Sequence, residues 1–132
     1  MSAFKITAMK KIILFTLLCF AFVFANAQLT NTKWKVTLAI PDSAEVIFDF
    51  RTDTVEALTV ADSESLETMI YTVQDTILTF ENISGRSECD DTVIGKYKFE
   101  MKDDEMFLAL IEDNCADRAN ALNNNAKWIK VQ

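Results

Sequence analysis

The side chains that could perform chemistry in this chain of 132 residues are few, and their types exclude the familiar reactions. The sequence contains no histidine and three cysteines. Without histidine, no hydroxyl or thiol has the most common general base beside it. The sequence also lacks a Gly-x-Ser-x-Gly elbow and a glycine-rich phosphate loop. We therefore expect a protein that is not an enzyme.

Three clusters of carboxylates remain as candidates for acid–base or metal chemistry. They are Asp90-Asp91, Asp103-Asp104-Glu105 and Glu112-Asp113. Each lies at a predicted turn or strand end, where solvated charge is common. A calcium loop would need carboxylates at alternating positions followed by a glycine, and the sequence has no such run. No metal and no other cofactor is predicted.

Residues 1–27 have the pattern of a cleaved export signal. The pair Lys10-Lys11 precedes an apolar segment, Ile12 to Phe24, and the small residues Ala25-Asn26-Ala27 follow it. The apolar segment has about 13 residues, whereas a helix that spans a bilayer needs about 20. We expect export of a mature chain, residues 28–132, to the periplasm, the cell surface or the medium. This mature chain has no predicted transmembrane segment.

The predicted mature chain is strongly acidic. Loss of three of the 13 basic residues leaves ten against 20 acidic ones, which gives a net charge of −10. This excess of negative charge disfavours nucleic acids and anionic membranes as partners. It favours solubility, and we expect a monomer.

Two cysteines, Cys89 and Cys115, lie outside the predicted leader. An even pair in an exported protein predicts a disulfide. The closed loop would have roughly 25 residues, for which loss of loop entropy in the unfolded chain gives about 3 kcal/mol. A redox or nucleophilic role is disfavoured because there is no CxxC spacing and no histidine to activate a thiol.

The apolar residues of the mature chain recur with a period of two almost to its end. This alternation predicts seven half-buried strands between Trp34 and Glu112, separated by short polar turns. The first of them extends to Ile40, and the third runs from Thr54 to Val60. Met106 to Ile111 is apolar at every position, which predicts a strand covered on both faces. Ala116 to Leu122 lacks β-branched residues, and we expect it to form a short helix that covers the outer face of that strand. Ala126 to Val131 is the predicted eighth strand.

This pattern predicts one all-β domain over residues 28–132. The expected architecture is an eight-stranded antiparallel up-and-down barrel with a short helix before the last strand. A barrel of eight strands is just wide enough to be filled by its own side chains or to hold one small ligand. The inward-facing positions that would line a ligand site are Val36, Leu38, Phe48, Phe50, Met69, Tyr71, Phe80, Tyr97, Phe99 and Leu108. Leu78 and Leu110 are also predicted to face inward.

Motifs along the mature chain resemble the bacterial lipocalin-like domain family, which comprises small secreted relatives of the lipocalin and avidin barrels. The motifs are Leu29-x-x-Thr32-x-Trp34-Lys35, Cys89, Gly95-x-Tyr97, Leu108-x-Leu110-Ile111-x-Asp113-x-Cys115-x-x-Arg118-x-x-x-Leu122 and Trp128-x-Lys130.

The resemblance implies a lipocalin-like barrel that is closed at one end by a structural pair. In this pair the guanidinium of Arg118 would lie over the indole of Trp34 as a cation–π contact. Thr32 departs from the pattern because lipocalins have a glycine at that position. The alternative is that Trp34 is only a core residue and Arg118 only a solvated helix residue.

Two functions remain open at this point. In the first, the exported barrel binds a small apolar molecule in its interior without catalysis, with Tyr71 and Tyr97 as polar contacts. In the second, the core is filled and the protein acts through its surface as an interaction module. Examples are an inhibitor of an extracytoplasmic protease and a surface-associated partner. A cavity lined by Tyr71, Tyr97 and Phe48 would favour the first function, and a filled interior would favour the second.

Overall fold

The computed structural model describes residues 28–38, 43–85, 89, 93–122 and 126–132. Eight strands form a closed barrel in sequence order, and each strand is antiparallel to its neighbours. The strands are β1 (Thr32–Leu38), β2 (Ala44–Phe50), β3 (Thr54–Thr59), β4 (Ser65–Gln74), β5 (Ile77–Gly85), β6 (Ile94–Lys102), β7 (Glu105–Asp113) and β8 (Trp128–Val131). A helix, α1 (Ala116–Leu122), precedes β8. The predicted up-and-down barrel with a short helix before its last strand is confirmed.

The alternation of side chains along each strand explains why the sequence forms a barrel. In β6, Tyr97 and Phe99 are buried, whereas Lys96, Lys98 and Glu100 are exposed. Successive side chains of a strand point to opposite faces of the sheet, so one face supplies the interior and the other meets solvent. The inward apolar residues of the strands form a single core.

Two of the hairpins have turns of two residues. One turn follows Gln74 and the other follows Lys102. Their first residues, Asp75 and Asp103, both have a φ of 57°. Turns with positive φ match the right-handed twist of the strands that they join, and aspartate adopts this conformation more readily than most residues. These turns fix the register of β4 with β5 and of β6 with β7.

The up-and-down order of the strands places their connections at two ends of the barrel. The β2–β3, β4–β5 and β6–β7 turns lie at one end, together with residues 28–31 that lead into β1. We name this the N-terminal end. The β3–β4 turn and α1 lie at the opposite end, where β1, β5 and β7 end, and we name this the helix end.

The helix is present as predicted, but the prediction of where it packs is wrong. Phe107 and Ile111 of β7 remain 40% and 52% exposed, so the outside of that strand is not covered. The helix instead buries Arg118, Ala121 and Leu122, and the two apolar residues belong to the barrel core. It closes the helix end because its buried side chains point towards the core rather than over β7.

Some strand bounds differ from those predicted. β8 begins at Trp128 rather than Ala126. β3 ends at Thr59, because Val60 already belongs to the following turn. The predicted first strand includes Ile40, which lies outside the described residues.

Candidate functional site

The ten residues predicted to line the interior come together in one core, and they fill it. Each of them is between 0% and 7% exposed. Some of their rings pack directly on one another, with centroid distances of 5.0 Å for Phe50 and Tyr71 and 5.9 Å for Phe80 and Tyr97. A hollow wide enough for a ligand would leave accessible surface on the side chains around it. The interior is therefore a packed core.

The tyrosine hydroxyls, predicted as polar contacts for a ligand, are hydrogen-bonded within the protein. The hydroxyl of Tyr71 donates to the carbonyl of Arg51 and lies 3.2 Å from Thr30 Oγ1. The hydroxyl of Tyr97 donates to Asp113 Oδ2 at 2.6 Å. Burial raises the pKa of both phenols, so each keeps its proton and remains a donor. Both hydroxyls therefore contribute to the fold.

Leu29 closes the N-terminal end of the barrel. Its side chain is fully buried and belongs to the core. Its carbonyl accepts hydrogen bonds from the hydroxyl of Thr32 and, at 3.1 Å, from the backbone N–H of the same residue. The contact between Thr30 and Tyr71 joins this turn to β4. The turn formed by residues 28–31 is thus held over this end of the barrel by the burial of Leu29 and by hydrogen bonds to β1 and β4.

Arg118 closes the helix end through buried polar contacts. Nε and Nη2 of this arginine donate to Asp113 Oδ2 and Oδ1 at 2.6 and 2.9 Å. Nη1 donates to Asn82 Oδ1 at 2.8 Å, and Nη2 also donates to the carbonyl of Val93 at 2.9 Å. The planar guanidinium suits this task because its donors are fixed in a fork. A single side chain of α1 therefore joins β5, β7 and the segment before β6.

The carboxylate of Asp113 is the centre of this network. It accepts the hydroxyl of Tyr97 and, at 2.9 Å, the backbone N–H of Cys115, in addition to the donors of Arg118. Gly95 leaves the space for it, because a Cβ there would overlap the carboxylate and approach Arg118 Nε to 2.9 Å. Within the described part of the chain, no buried side-chain nitrogen or oxygen lacks a hydrogen-bond partner. A fully satisfied network of this kind stabilises the fold.

We expect Asp113 to make the stability of the fold depend on acid pH. Burial alone would raise the pKa of Asp113, but hydrogen bonds from Arg118, Tyr97 and the Cys115 N–H outweigh it and lower the pKa. A carboxyl with a lowered folded-state pKa stabilises the fold above its unfolded pKa of about 3.9. This contribution is lost as the pH falls through the folded-state pKa.

The free energy of unfolding, measured in urea from about pH 6 to about pH 2, should therefore fall more steeply for the wild type than for Asp113→Asn. Parallel curves would show that another group controls the acid transition.

Trp34 and Arg118 do not form the cation–π contact that the resemblance implies. The indole of Trp34 is 1% exposed and donates to Thr32 Oγ1 at 2.9 Å. Trp34 lies near the start of β1, towards the N-terminal end, whereas Arg118 lies at the helix end. The alternative of a solvated arginine is also wrong, since Arg118 is buried. The partner of Arg118 is the carboxylate of Asp113 in place of an indole.

Cys89 and Cys115 form the predicted disulfide. It joins the β5–β6 connection to the residue immediately before α1, across a sequence separation of 26. Cys115 is fully buried, and its backbone N–H bonds Asp113. The disulfide and the Arg118 network therefore hold the same end of the barrel.

Two of the candidate carboxylate clusters lie at opposite ends of β7 and therefore of the barrel. Asp103-Asp104-Glu105 spans the β6–β7 turn and the start of β7, and Asp113 is occupied by the Arg118 network. Asp90-Asp91 lies outside the described residues. Among the residues that the structure describes, no group of three or more histidine, cysteine, aspartate or glutamate side chains could hold a metal ion.

An open groove of about 460 Å³ lies on the rim of the N-terminal end. Its lining contains three apolar and three charged side chains. The lining residues are Gln28, Asp75, Thr76, Phe99, Glu100, Met101, Lys102 and Phe107. We name it the rim groove. The ring of Phe107 is 40% exposed, although a large aromatic side chain is usually buried in a core or an interface. The rim groove is the best candidate for a binding site among the described residues.

Sequence reasoning gave no structural role to two residues that complete the barrel ends. They are Leu29, which was quoted only as part of a motif, and Asn82. Asn82 is 5% exposed and continues the inward positions Leu78 and Phe80 of β5. A polar residue at an inward position is a signal that could have been found, because a buried amide needs a partner. The exposure of Phe107 was not predicted, because the helix over Ala116 to Leu122 was expected to cover the outer face of this strand.

Comparison with models of protein families, with curated proteins and with solved structures found no match. In the described ranges, α1 is far too short to cross a bilayer, and no other helix there is long and apolar enough to do so.

Proposed function

We propose that this protein is a non-catalytic binding module that recognises another protein through its surface. The observation that carries this proposal is the filled interior, in which the ten predicted lining residues are at most 7% exposed and both ends are closed. A barrel without a cavity can still serve as a rigid support for a site on its rim. Export by the predicted leader would place such a module outside the cytoplasm.

The rim groove is the part of the surface that best suits a protein partner. Phe107 and Met101 provide an apolar contact area, and Asp75, Glu100 and Lys102 provide charges around it. Protein interfaces have this arrangement, with an aromatic anchor at the centre and a polar rim that excludes water. We propose that an apolar side chain of the partner packs against Phe107. An extracytoplasmic protease and a surface-associated protein are the two classes of partner to test.

We expect Phe107→Ser to remove partner binding without unfolding the barrel. The matched control is Ile111→Ser, because Ile111 lies on the same strand, is 52% exposed and does not line the groove. Wild-type and variant proteins should be immobilised and exposed to the extracytoplasmic extract of cells that produce the protein. The partner is a protein retained by the wild type and by Ile111→Ser but lost from Phe107→Ser. Retention of the same proteins on all three columns would refute a docking role for the groove.

A second candidate function, binding of a small apolar molecule, is favoured by the volume of the groove. Small-molecule sites commonly have volumes of about 300–1,000 Å³, and the rim groove has about 460 Å³. Native mass spectrometry of the exported protein, purified without detergent, tests this function. An extra mass that is lost on organic extraction and absent from Phe107→Ser would support it. A bare mass, together with no response to fatty acids and sterol-like compounds, would exclude it.

Membership in the lipocalin-like family remains a proposal as well. It is supported by the quoted motifs, by the eight-stranded barrel and by the position of Arg118 at one end. The carboxylate partner of Arg118 departs from the lipocalin pattern.

A further inference from the structure

The predicted mature chain begins with a glutamine. Cleavage after Ala27 would give Gln28 a free α-amino group, because its nitrogen would no longer belong to a peptide bond. Gln28 is exposed and lines the rim groove. The side-chain amide carbon of a glutamine can reach the α-amino nitrogen of the same residue, and the five-membered ring that would close between them has little strain. Gln28 therefore carries a nucleophile and an electrophile within one exposed residue.

The residue after Gln28 is anchored in the barrel. Leu29 is fully buried, and its carbonyl accepts the backbone N–H of Thr32 at 3.1 Å. In the predicted mature chain, Gln28 is the single residue before this anchor. The ring would close within Gln28, so Leu29 would keep its place in the core. The fold therefore leaves the reacting groups accessible and loses no core contact when they react.

We propose that Gln28 is a modification site, at which the mature chain cyclises to an N-terminal pyroglutamate. This inference rests on the predicted cleavage after Ala27. The α-amino nitrogen attacks the side-chain carbon Cδ, a bond forms between them, and the bond from Cδ to Nε2 breaks. The proton that the α-amino nitrogen loses passes to Nε2, which leaves as ammonia. The step needs no oxidant, reductant or cofactor.

The charge of the rim groove would change with this step. The groove has two carboxylates, Asp75 and Glu100, and one cation, Lys102. An α-amino group has a pKa of about 7.7–8.0, so at neutral pH most copies carry a positive charge and an appreciable fraction is unprotonated and able to attack. The lactam nitrogen of a pyroglutamate carries no charge. Cyclisation therefore takes the groove from neutral to a net charge of −1, and it also removes the free amine that an aminopeptidase needs.

The test uses the exported protein, purified from the cells that produce it and incubated at neutral pH. We expect a chain that begins at residue 28 and is lighter by the mass of one ammonia, in addition to the two hydrogens lost to the disulfide. Fragmentation of the N-terminal peptide should place the ammonia loss on the first residue. Reductive methylation should label the lysines and leave the N-terminus unlabelled.

Two variants at the same exposed position control the experiment. Gln28→Ala has no side-chain amide, so it should keep its full mass and a terminal amine that can be methylated. Gln28→Glu should lose water in place of ammonia, and more slowly, because a carboxylate is a weaker electrophile than an amide. Both variants should unfold at the same urea concentration as the wild type, since the side chain of residue 28 lies outside the core.

Three results would overturn the inference. They are a free amine on Gln28 after prolonged incubation, loss of ammonia at another residue, and a mature chain that begins at another position. The column experiment with Phe107→Ser tests the proposed function separately, because it does not change residue 28. Loss of a partner from Phe107→Ser together with an uncyclised Gln28 would retain the docking role of the groove and remove only the modification.

Discussion

Arg118→Met should lower the free energy of unfolding by about 3–5 kcal/mol, because it leaves the buried carboxylate of Asp113 without its cation. The side chain of Asp113 is fully buried, and that of Arg118 is 6% exposed. Methionine has a similar length and adds no new polar group, so the loss would report the charge and its hydrogen bonds. Asn82 and the carbonyl of Val93 would also lose a donor each. Unfolding in urea at neutral pH measures the change.

The matched control is Lys127→Met at an exposed ion pair. Lys127 lies 3.3 Å from Glu105, and the two side chains are 52% and 42% exposed. Water already solvates both charges, so this substitution should cost less than about 1 kcal/mol. A loss in Arg118→Met as small as that of the control would show that the buried network does not hold the helix end.

A double variant separates the charge effect from simple loss of packing. Asp113→Leu removes the carboxylate that Arg118→Met leaves unpaired, so the pair of substitutions should cost less than the sum of the two single ones. Costs that simply add would mean that the two side chains stabilise the fold independently.

The barrel could be predicted because its strands have one inward and one outward face throughout. Alternation such as Tyr97-Lys98-Phe99 specifies which side of a strand is buried, and short polar turns specify that neighbours are antiparallel. The order of the strands then follows from their connections. The same reasoning placed eleven of the twelve predicted inward residues in the core. The exception is Leu110, which is 36% exposed and lies where the register of β6 with β7 shifts.

Whether the interior is filled or hollow could not be predicted, because an eight-stranded barrel lies at the boundary between the two. The outcome depends on side chains that enter from outside the regular strands. Leu29 lies in a turn and closes one end of the barrel. Leu122 lies in α1, and its side chain packs in the core. Neither position follows from strand alternation.

The partner of Arg118 could not be predicted for a related reason. Its contact with Asn82 joins residues separated by 36 positions, and strand alternation does not specify such a pairing. The resemblance correctly placed Arg118 at one end of the barrel. It also predicted Trp34 as the partner of Arg118, but Trp34 lies near the other end. The cover predicted for β7 was wrong for a similar reason, because a run of apolar residues does not specify whether the outer side chain of Phe107 is covered or exposed.

The second large effect is expected from removal of the disulfide. Cys89→Ser combined with Cys115→Ala should lower the free energy of unfolding by about 3 kcal/mol, since a sequence separation of 26 leaves the unfolded chain considerably freer. Serine suits the partly exposed position 89, and alanine avoids a new buried hydroxyl at position 115, which is fully buried. Under oxidising conditions the variant should unfold at the same urea concentration as the reduced wild type. An unchanged midpoint would contradict the stabilising role of the bridge.

The disulfide and Arg118 should not act independently, because both hold α1 against the helix end. Cys115 belongs to the bridge and also donates its backbone N–H to Asp113, the main partner of Arg118. Once the bridge is absent, α1 is easier to release, and the Arg118 network has less ordered structure left to stabilise. The combined variant should therefore lose less stability than the sum of the two separate losses, by about 0.5–3 kcal/mol. Fully additive losses would mean that the disulfide acts only on the unfolded chain and that Arg118 alone holds the helix in place.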